Sequence, residues 1–387
     1  MPGWSGRRTS TDQLREVWRS RHMDDRPLRI SSCGALLRHA DQLVWHDTLA
    51  HRRFALDEDA DIVLRCFVTW QPLSHIRTRA RDEDHAQFLI TIAERLRVAN
   101  ILIAWESERH RVEDANEAAW HRWGRLAALF HTETRNLRDQ RFITSELDQH
   151  RLRQRLEHEP PPPVCREVPA PRRVVLAAAD TASWSRSDFL DVLSHRRSSR
   201  RFSGEPVPFE AVSALLRWCG GITELDERTQ TAFKTSASGG GRHPTEIYLH
   251  AHRVSGLQPG IYHLNTRRDE LELVGPPQSA DSLVRLLGDQ DWVSDSGCVV
   301  FFTCVLARST WKYSTARTYR MLNLDVGHLS QTVYLLATAL GLGVTFTAAI
   351  QDEALEDLLG IDAAHELVMG CSVIGALTRT TTSGHTG

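Results

Sequence analysis

Four consecutive prolines, Pro160 to Pro163, constrain the fold of this 387-residue chain more than any other feature of its sequence. Proline lacks a backbone N–H and has a fixed φ, so neither a helix interior nor a central strand can include this segment. Pro169 and Pro171 follow closely, and such a sequence favours a semi-rigid extended spacer. The chain is long enough for two domains, and we expect a boundary here.

The composition excludes several classes of protein. The net charge of -2 gives no electrostatic basis for binding nucleic acid or an anionic membrane. The seven cysteines are odd in number and form no CxxC pair, which argues against a disulfide framework and a structural zinc site. They favour a reducing compartment, and we expect a cytoplasmic protein.

Two further observations bear on metals and membranes. None of the nineteen histidines lies in an HExxH motif or at another usable ligand spacing, so no metal site is predicted. The N-terminus lacks the apolar core of a signal peptide. The long apolar run from 332 to 350 contains glycines and threonines, and it fits a buried helix leading into a buried strand better than a membrane span.

The N-terminal part, residues 1–115, is predicted to be a small winged-helix-like domain. Gln42 to His46 and His51 to Ala55 resemble short strands, and helical patterns begin at Asp57 and near Asp84. Winged-helix modules bind DNA or peptides. Basic residues from His75 to Arg81 are followed at once by acidic ones, so a solvated helix surface is the competing interpretation. Residues 116–185 are predicted to form a helical and proline-rich linker.

The C-terminal part, residues 186–387, alternates helices and strands. A hairpin is predicted around Asn265, and one long helix is predicted from Tyr319 to Leu340. The continuous apolar stretch from Cys298 to Leu306 predicts a central strand. We therefore expect an α+β domain in which helices flank a mixed central sheet.

An arginine-rich block, RRSSRRF at residues 196–202, is the strongest chemical signal. Guanidinium groups offer a planar fork of donors, and with two hydroxyl groups they can hold a phosphate dianion. A solvated basic run or a nucleic-acid patch would have the same composition.

A glycine-rich block, TSASGGGRHP at residues 235–244, is the second signal. Three glycines let a backbone approach a flat ligand and present N–H donors. The block lacks both GxGxxG and the Gly-Lys-Ser/Thr of a P-loop. A flexible surface loop is the alternative.

A third block, WKYSTAR at residues 311–317, follows a predicted buried strand. Active-site groups often lie at such positions. Lys312 and Tyr313 are adjacent, so they can enter one cavity only from a loop or turn. An ordinary surface turn would carry the same residues.

Together these blocks closely resemble the SagB-type dehydrogenases, nitroreductase-fold flavoenzymes of ribosomal peptide maturation. The resemblance covers about residues 186–377, and Phe54 to Asp57 resembles the family's N-terminal region. It rests on five blocks in order: RRSSRRF, SGGGRHPTE, WKYSTARTYR, LDVGHLSQTVYLLATALGLG and DEALEDLLG.

The resemblance implies FMN bound at a homodimer interface and an azoline-to-azole oxidation of a precursor peptide. A cyclodehydratase complex is a further candidate partner. The implied phosphate and ribityl ligands are Arg196, Arg197, Ser198 and Arg200. The residues implied near the flavin are Ser236, Ser238, Gly239 and Gly240 of the partner subunit, Gln331, and the backbone of Ala348 and Ala349. Lys312 and Tyr313 fall on the family's catalytic pair.

Two departures from the family pattern leave the oxidised bond open. Thr235 stands where a proline is usual, and residues 347–350 replace a glycine pair followed by an aromatic residue. Two other functions compete: an NAD(P)H-dependent small-molecule nitro or flavin reductase, and a flavin-binding regulatory protein. The Lys-Tyr pair and the N-terminal domain favour the peptide dehydrogenase. A basic recognition helix would favour a regulator, and none is evident.

Overall fold

The computed structural model describes residues 26–137, 144–178 and 188–378. Contacts divide the chain into two units, residues 1–141 and 142–387. Within the described ranges, no helix combines the length and the hydropathy needed to cross a bilayer.

Within residues 26–137, the first unit contains a three-stranded antiparallel meander, a two-stranded sheet and four α-helices. Its strands are β1 (Leu28–Ile30), β2 (Gly34–His39), β3 (Gln42–Asp47), β4 (Arg52–Leu56) and β5 (Leu102–Ala104). Its helices are α1 (Glu58–Cys66), α2 (Glu83–Val98), α3 (Glu108–Trp120) and α4 (Arg125–Glu133). Strands β2, β3 and β4 form the meander, and β1 pairs with β5.

Side-chain caps fix the starts of the first three helices. The carboxylates of Asp57 and Asp82 accept hydrogen bonds from backbone N–H groups three residues on, at 2.8 and 2.7 Å, and Ser107 does the same at 3.1 Å. The predicted strands and helices of this unit are present within two residues. Strand β2 is additional, because its adjacent and exposed Leu36 and Leu37 lack the alternation that predicts a strand. The winged-helix-like class and the limits of 1–115 stay predictions.

The second unit is built on a seven-stranded sheet with helices packed against it. Its helices are α5 (Ser145–His158), α6 (Phe189–His195), α7 (Phe209–Gly220), α8 (Ala280–Leu286), α9 (Leu306–Thr310), α10 (Thr318–Ala339) and α11 (Asp352–Leu359). Its strands are β6 (Arg173–Val175), β7 (Val207–Pro208), β8 (Ile222–Asp226), β9 (Thr231–Lys234), β10 (Thr245–Ala251), β11 (Val254–Ser255), β12 (Gly260–Asn265), β13 (Glu270–Gly275), β14 (Cys298–Val305), β15 (Leu342–Thr347) and β16 (Glu366–Ala376).

The strand order in the large sheet is β15-β16-β14-β10-β12-β13-β6. All six neighbouring pairs are antiparallel, so the expectation of a mixed sheet is wrong in this detail. Helical connections do not fix strand direction: α11 connects β15 to β16, yet these strands are antiparallel neighbours. The predicted α+β class with flanking helices is confirmed.

Helix α10 packs lengthwise against the sheet core. Leu322, Val326, Leu329 and Val333 recur every three or four residues and are buried. Leu324, Gly327 and Gln331 share the same spacing on the other side and are exposed. We call these last three residues the exposed stripe of α10.

The proline-rich segment at residues 159–172, named the strap here, is packed against the second unit. It contains no helix or strand, but Val164 is buried and Arg308 Nε donates to the Pro163 carbonyl at 2.8 Å. Val168 N–H donates to Glu272 Oε2 at 3.1 Å. Strand β6 follows and closes one edge of the sheet. The division of the chain at residues 115 and 185 stays a prediction, although contacts assign residues 144–178 to the second unit.

Candidate active site

The arginine block forms a turn after α6 that is attached to α10 and β15. Ser198 Oγ and Tyr334 Oη lie 2.9 Å apart, and Phe346 N–H donates to the same phenol oxygen at 2.8 Å. The Arg196 guanidinium lies 5.2 Å from the Tyr334 ring centroid. The turn therefore has a defined position although it lacks regular structure.

The guanidinium groups of this turn retain free donors. Arg197 Nη1 donates to the carbonyls of Ser194 and Arg196, at 2.9 and 2.7 Å. The Arg200 guanidinium lies 5.9 Å from the Trp292 ring. Within the described ranges, Arg196 and Arg200 form no side-chain hydrogen bond or ion pair. Because each guanidinium carries five N–H donors, the turn has the chemistry of an anion site.

The glycine-rich block lies against α10 of its own chain. Ser238 Oγ donates to Asp325 Oδ2 at 2.5 Å, and Gly239 N–H donates to Asp325 Oδ1 at 3.1 Å. Burial raises the pKa of Asp325, and the two hydrogen bonds oppose this effect. Ser236 Oγ lies 2.6 Å from Thr332 Oγ1.

The arginine turn and the glycine block border the exposed stripe of α10 from different sides. The glycine block contacts Thr332, whereas the arginine turn contacts Tyr334 two residues on, about 200° around the helix. Gln331 lies between these contacts and is exposed. The predicted phosphate and flavin residues of one chain therefore surround one accessible helix surface.

Lys312 and Tyr313 occupy a turn after α9, where both backbone N–H groups donate to the Ser309 carbonyl. Lys312 Nζ lies 5.5 Å from the Tyr313 ring centroid. Gly240 completes the group: a Cβ there would overlap Tyr313 Oη and lie 3.1 Å from Lys312 Nζ. Two blocks that are 72 residues apart in sequence therefore meet at one point.

Ala348 and Ala349 are exposed and follow β15 directly. Ala349 N–H donates to Thr347 Oγ1 at 3.1 Å, and Gln290 Nε2 donates to the same oxygen at 3.3 Å. Gln290 precedes the helical turn that contains Trp292, the contact of Arg200. The alanines therefore lie at the same end of the sheet as the arginine turn.

Sequence reasoning missed three residues that contact this site. Arg242 is buried, and its guanidinium lies 5.4 Å from the Trp311 ring. Burial lowers the pKa of Arg242, while nearby Tyr313 raises it. Asp148 on α5 places Oδ2 3.7 Å from Lys312 Nζ. Trp311 and Arg242 belong to the recognised blocks and could have been noted, but no pattern marks Asp148.

A buried charge network lies behind the site and anchors the strap. His263 bonds Glu246 Oε2 at 2.8 Å and Glu272 Oε2 at 3.0 Å, and Arg308 donates to Glu246. Burial raises the pKa of Glu246, but Arg308 and His263 outweigh this effect and lower it to about 2. Arg308 also donates to the His243 carbonyl at 3.1 Å, so the network joins the strap to the glycine block. In the described parts of the chain, no three His, Cys, Asp or Glu side chains are arranged to hold a metal.

Comparison with known proteins agrees with the predicted fold. Residues 193–375 match a family model described as the nitroreductase family. A protein of Methanocaldococcus jannaschii named "putative nitroreductase" is 31% identical over 179 residues, 46% of this chain and 87% of that protein.

Two other matches cover about half of the proteins concerned. The trifolitoxin-processing protein TfxB of Rhizobium leguminosarum bv. trifolii is 29% identical over 183 residues, 44% of this chain and 48% of that protein. A crystal structure of a nitroreductase-like protein from Anabaena variabilis matches with a TM-score of 0.46 and 25% identity, covering 54% of this chain and 42% of that one.

Proposed function

Because this chain belongs to the nitroreductase family, we propose that it is an oxidoreductase of the SagB type that dehydrogenates a modified ribosomal peptide. FMN is the cofactor of this family. The observation that carries the proposal is the meeting of Lys312 and Tyr313 with Gly240, in a glycine block that is hydrogen-bonded to α10.

The residues present fit FMN. The free guanidinium donors of Arg196 and Arg200 suit a phosphate dianion, and the missing side chain at Gly240 brings Lys312 and Tyr313 against the glycine block. The proposed phosphate and ribityl ligands are Arg196, Arg197, Ser198 and Arg200. The proposed flavin neighbours are Ser236, Ser238, Gly239, Gly240, Gln331, Ala348 and Ala349. When bound, FMN supplies a hydride acceptor.

The glycine block offers a cofactor few free hydrogen-bond donors, and its main contribution is a backbone without side chains. Ser238 Oγ and Gly239 N–H already donate to Asp325, so they are engaged within the chain. Gly240 has a φ of 64° and the backbone passes close to Tyr313 and Lys312. The absence of a side chain there lets Tyr313 and Lys312 lie directly against the backbone of the glycine block.

Lys312 and Tyr313 are the proposed proton-transfer groups. Oxidation of an azoline to an azole removes a proton from carbon as well as a hydride, and the proton needs a base. Tyr313 Oη and Lys312 Nζ both border Gly240, so the base for a substrate bound beside them would be either the phenolate of Tyr313 or the neutral amine of Lys312. Nearby Arg242 and Lys312 place positive charge around the phenol.

The peptide substrate is proposed from the relatives and the domain organisation. The similarity to a trifolitoxin-processing protein supports a precursor peptide, although the match spans about half of that protein. We assign peptide binding to residues 1–115 and expect a homodimer that works with a cyclodehydratase complex. The similarity to the protein of M. jannaschii favours one second candidate, an NAD(P)H-dependent small-molecule nitro or flavin reductase.

The direct test is a two-part measurement on purified protein. Mass spectrometry of the released cofactor is expected to identify FMN, and an azoline-containing precursor peptide is expected to lose the mass of two hydrogen atoms. Lys312→Ala and Tyr313→Phe are expected to keep FMN yet lose turnover by about 100-fold or more. Tyr262→Phe, which removes a hydroxyl that donates to the Gln258 carbonyl outside the blocks that meet at Gly240, is the matched control.

Three results would contradict the proposal. Release of FAD, or of no flavin, would remove the cofactor assignment. Full peptide oxidation by both flavin-loaded variants would remove the catalytic pair. Rapid NAD(P)H-driven reduction of nitro compounds without peptide oxidation would support the reductase instead.

A further inference from the structure

Lysine is almost absent from this protein. The sequence contains two lysines, Lys234 and Lys312, against 45 arginines, which together make the 47 basic residues. Both lie at the glycine block: Lys234 directly precedes Thr235, and Lys312 lies against Gly240. Lysine differs from arginine in having a compact head group that can lose its proton. A chain that uses arginine at nearly all of its basic positions therefore has a lysine at the centre of its candidate site.

Helix α5 lies over this lysine. Asp148, Arg155 and Glu159 are seven and four residues apart, so they lie on one side of the helix and its end. Trp311 Nε1 donates to the Glu159 carbonyl at 3.3 Å, and the Arg155 guanidinium lies 5.6 Å from the Trp311 ring. Arg155 also pairs with Glu159 at 2.8 Å. The same side of α5 places Asp148 3.7 Å from Lys312.

Polar contacts with Trp311 determine the position of α5. No side chain of α5 is buried among those that the structure describes, whereas Trp311 is only 3% exposed. Arg155 and Arg242 both lie over the indole ring. Cation–π contacts of this kind are stabilising, more so when desolvated. The helix is therefore oriented by the residue that directly precedes Lys312.

Asp148 is the one carboxylate at ion-pair distance from Lys312 within the described ranges. A lysine side chain has four rotatable bonds, and fixing it in one orientation is entropically costly. The Lys312 side chain is 17% exposed and that of Asp148 is 40% exposed, so their pairing contributes little to folding. The carboxylate of Asp148 instead orients the ammonium group of Lys312.

We infer that Asp148 is a positioning residue, whose carboxylate holds the Lys312 amine beside Gly240 and Tyr313 and makes α5 one wall of the site. This inference rests on the proposed function, because it assigns Asp148 to the same catalytic pair. It also assigns a purpose to a helix that the sequence indicates only as a charged segment before the prolines.

Chemical acylation of the full-length holoprotein tests this without measuring activity. Acetylation by an N-hydroxysuccinimide ester, followed by peptide mass spectrometry, reports Lys312, and a lysine-containing peptide added to the reaction is the internal reference. In Asp148→Asn the acylation rate of Lys312 relative to this peptide is expected to rise about two- to fivefold, the range that a partly exposed ion pair contributes. Glu157→Gln, an exposed position on the same helix, is expected to leave the ratio unchanged.

Kinetics of the same variants give the second readout. Asp148→Asn is expected to lower kcat about tenfold, while FMN content, KM and the unfolding midpoint stay at wild-type values. Asp148→Glu is expected to restore most of the kcat, because a 3.7 Å separation leaves room for a longer carboxylate. Equal acylation ratios in Asp148→Asn and Glu157→Gln would overturn the inference, as would a failure of Asp148→Glu to restore kcat.

The outcomes separate this inference from the proposed function. If flavin-loaded Lys312→Ala oxidises peptide fully, the catalytic assignment fails, whatever the acylation ratio shows. If Lys312→Ala is inactive but Asp148→Asn behaves like Glu157→Gln in both readouts, the catalytic pair stands and the role of Asp148 is refuted.

Discussion

Gly240 is the single residue on which the geometry of the site depends most. Its φ of 64° is a backbone conformation that residues with a side chain adopt at a cost. A Cβ would also overlap the Tyr313 phenol. Other residues are therefore disfavoured at this position for two independent reasons: the backbone conformation and the overlap of a side chain with Tyr313.

A matched pair of glycine substitutions separates these two reasons. Gly341→Ala has a similar φ of 68° but open space around it, so it is expected to lower the free energy of unfolding by about 1 kcal/mol through backbone strain alone. Gly240→Ala is expected to lose more stability and at least tenfold in peptide turnover, because Tyr313 must move. Urea unfolding and steady-state kinetics measure both effects. Equal stability losses with full activity in Gly240→Ala would show that Tyr313 yields without consequence.

At the residue scale, the sequence predicts which side chains suit catalysis better than it predicts which side chains they contact in the fold. Lys312, Tyr313 and Gly240 are recognisable because their residue types suit proton transfer and close approach. The contact of Lys312 with Asp148 is not recognisable, because a carboxylate in a charged helix has the same pattern whether it faces solvent or a lysine. Partner choice depends on tertiary packing, which a local pattern does not contain.

Buried His250 at the end of β10 and half-buried His252 just beyond it are neutral in the folded protein. His250 Nε2 accepts from the Gln278 N–H at 2.8 Å, and its Nδ1 lies 3.1 Å from His252 Nδ1. His252 Nε2 lies 2.8 Å from the Ser296 carbonyl. Burial lowers the pKa of His250 to about 3 and that of His252 to about 4.

This arrangement predicts acid destabilisation. The unfolded state binds protons at a histidine pKa of about 6.5, whereas the folded state does not, so the stabilisation is complete above pH 6.5 and is lost as pH falls toward 4. Between pH 6.5 and 4.5 each histidine is expected to lower the free energy of unfolding by about 2 to 3 kcal/mol. Denaturant titrations at several pH values measure this slope.

Substitutions identify the source of the slope. The slope of unfolding free energy against pH is proportional to the number of protons taken up on unfolding. His252→Gln is expected to reduce that number by about one. His365→Gln removes an exposed histidine and is expected to leave the slope unchanged. A wild-type slope in His252→Gln would show that other groups cause the acid sensitivity.

At the element scale, the proline run predicts the end of α5 but not the packing that follows. Proline fixes backbone shape, and an extended segment can equally well be a free spacer or a strap on a sheet. Here Arg308 and Glu272 bond its backbone, and these partners lie more than 100 residues further along the chain. The antiparallel pairing of the large sheet could not be predicted from the sequence either. Strand direction depends on which strands pair, and the hydrophobic pattern of a strand does not contain that information.

At the scale of the whole molecule, subunit mixing tests where the flavin ligands originate. The family resemblance assigns the glycine block to the partner subunit, while in one chain both blocks border the exposed stripe. If each site uses two subunits, mixing Arg200→Ala with Gly240→Trp subunits is expected to restore about a quarter of FMN binding, since about half of the dimers are mixed and each has one intact site.

The complementary results are equally informative. No FMN recovery after subunit exchange would assign both blocks to the same chain. A flavin-loaded monomer in sedimentation would exclude the dimer. The two variants measured separately, each without FMN, provide the control.

Truncation tests the role of the N-terminal unit. Contacts end the first unit at residue 141, so removal of residues 1–141 is expected to leave FMN bound and to raise KM for the full-length precursor. Removal of residues 1–178 also deletes α5, the strap and β6, and it is expected to lower the unfolding temperature as well. Unchanged precursor kinetics after the shorter truncation would exclude peptide binding by the first unit.

Strand β6 has a consequence for the evolution of such proteins by gene fusion. The family match begins at residue 193, yet the sheet takes its edge strand from residues 173–175, upstream of that match. A recombination breakpoint between residues 144 and 178 would divide elements that pack together, whereas one before residue 144 would transfer a complete sheet. When this domain is transferred between proteins by gene fusion, we therefore expect the transferred segment to begin before the first packed element. We do not expect it to begin where the recognisable family sequence begins.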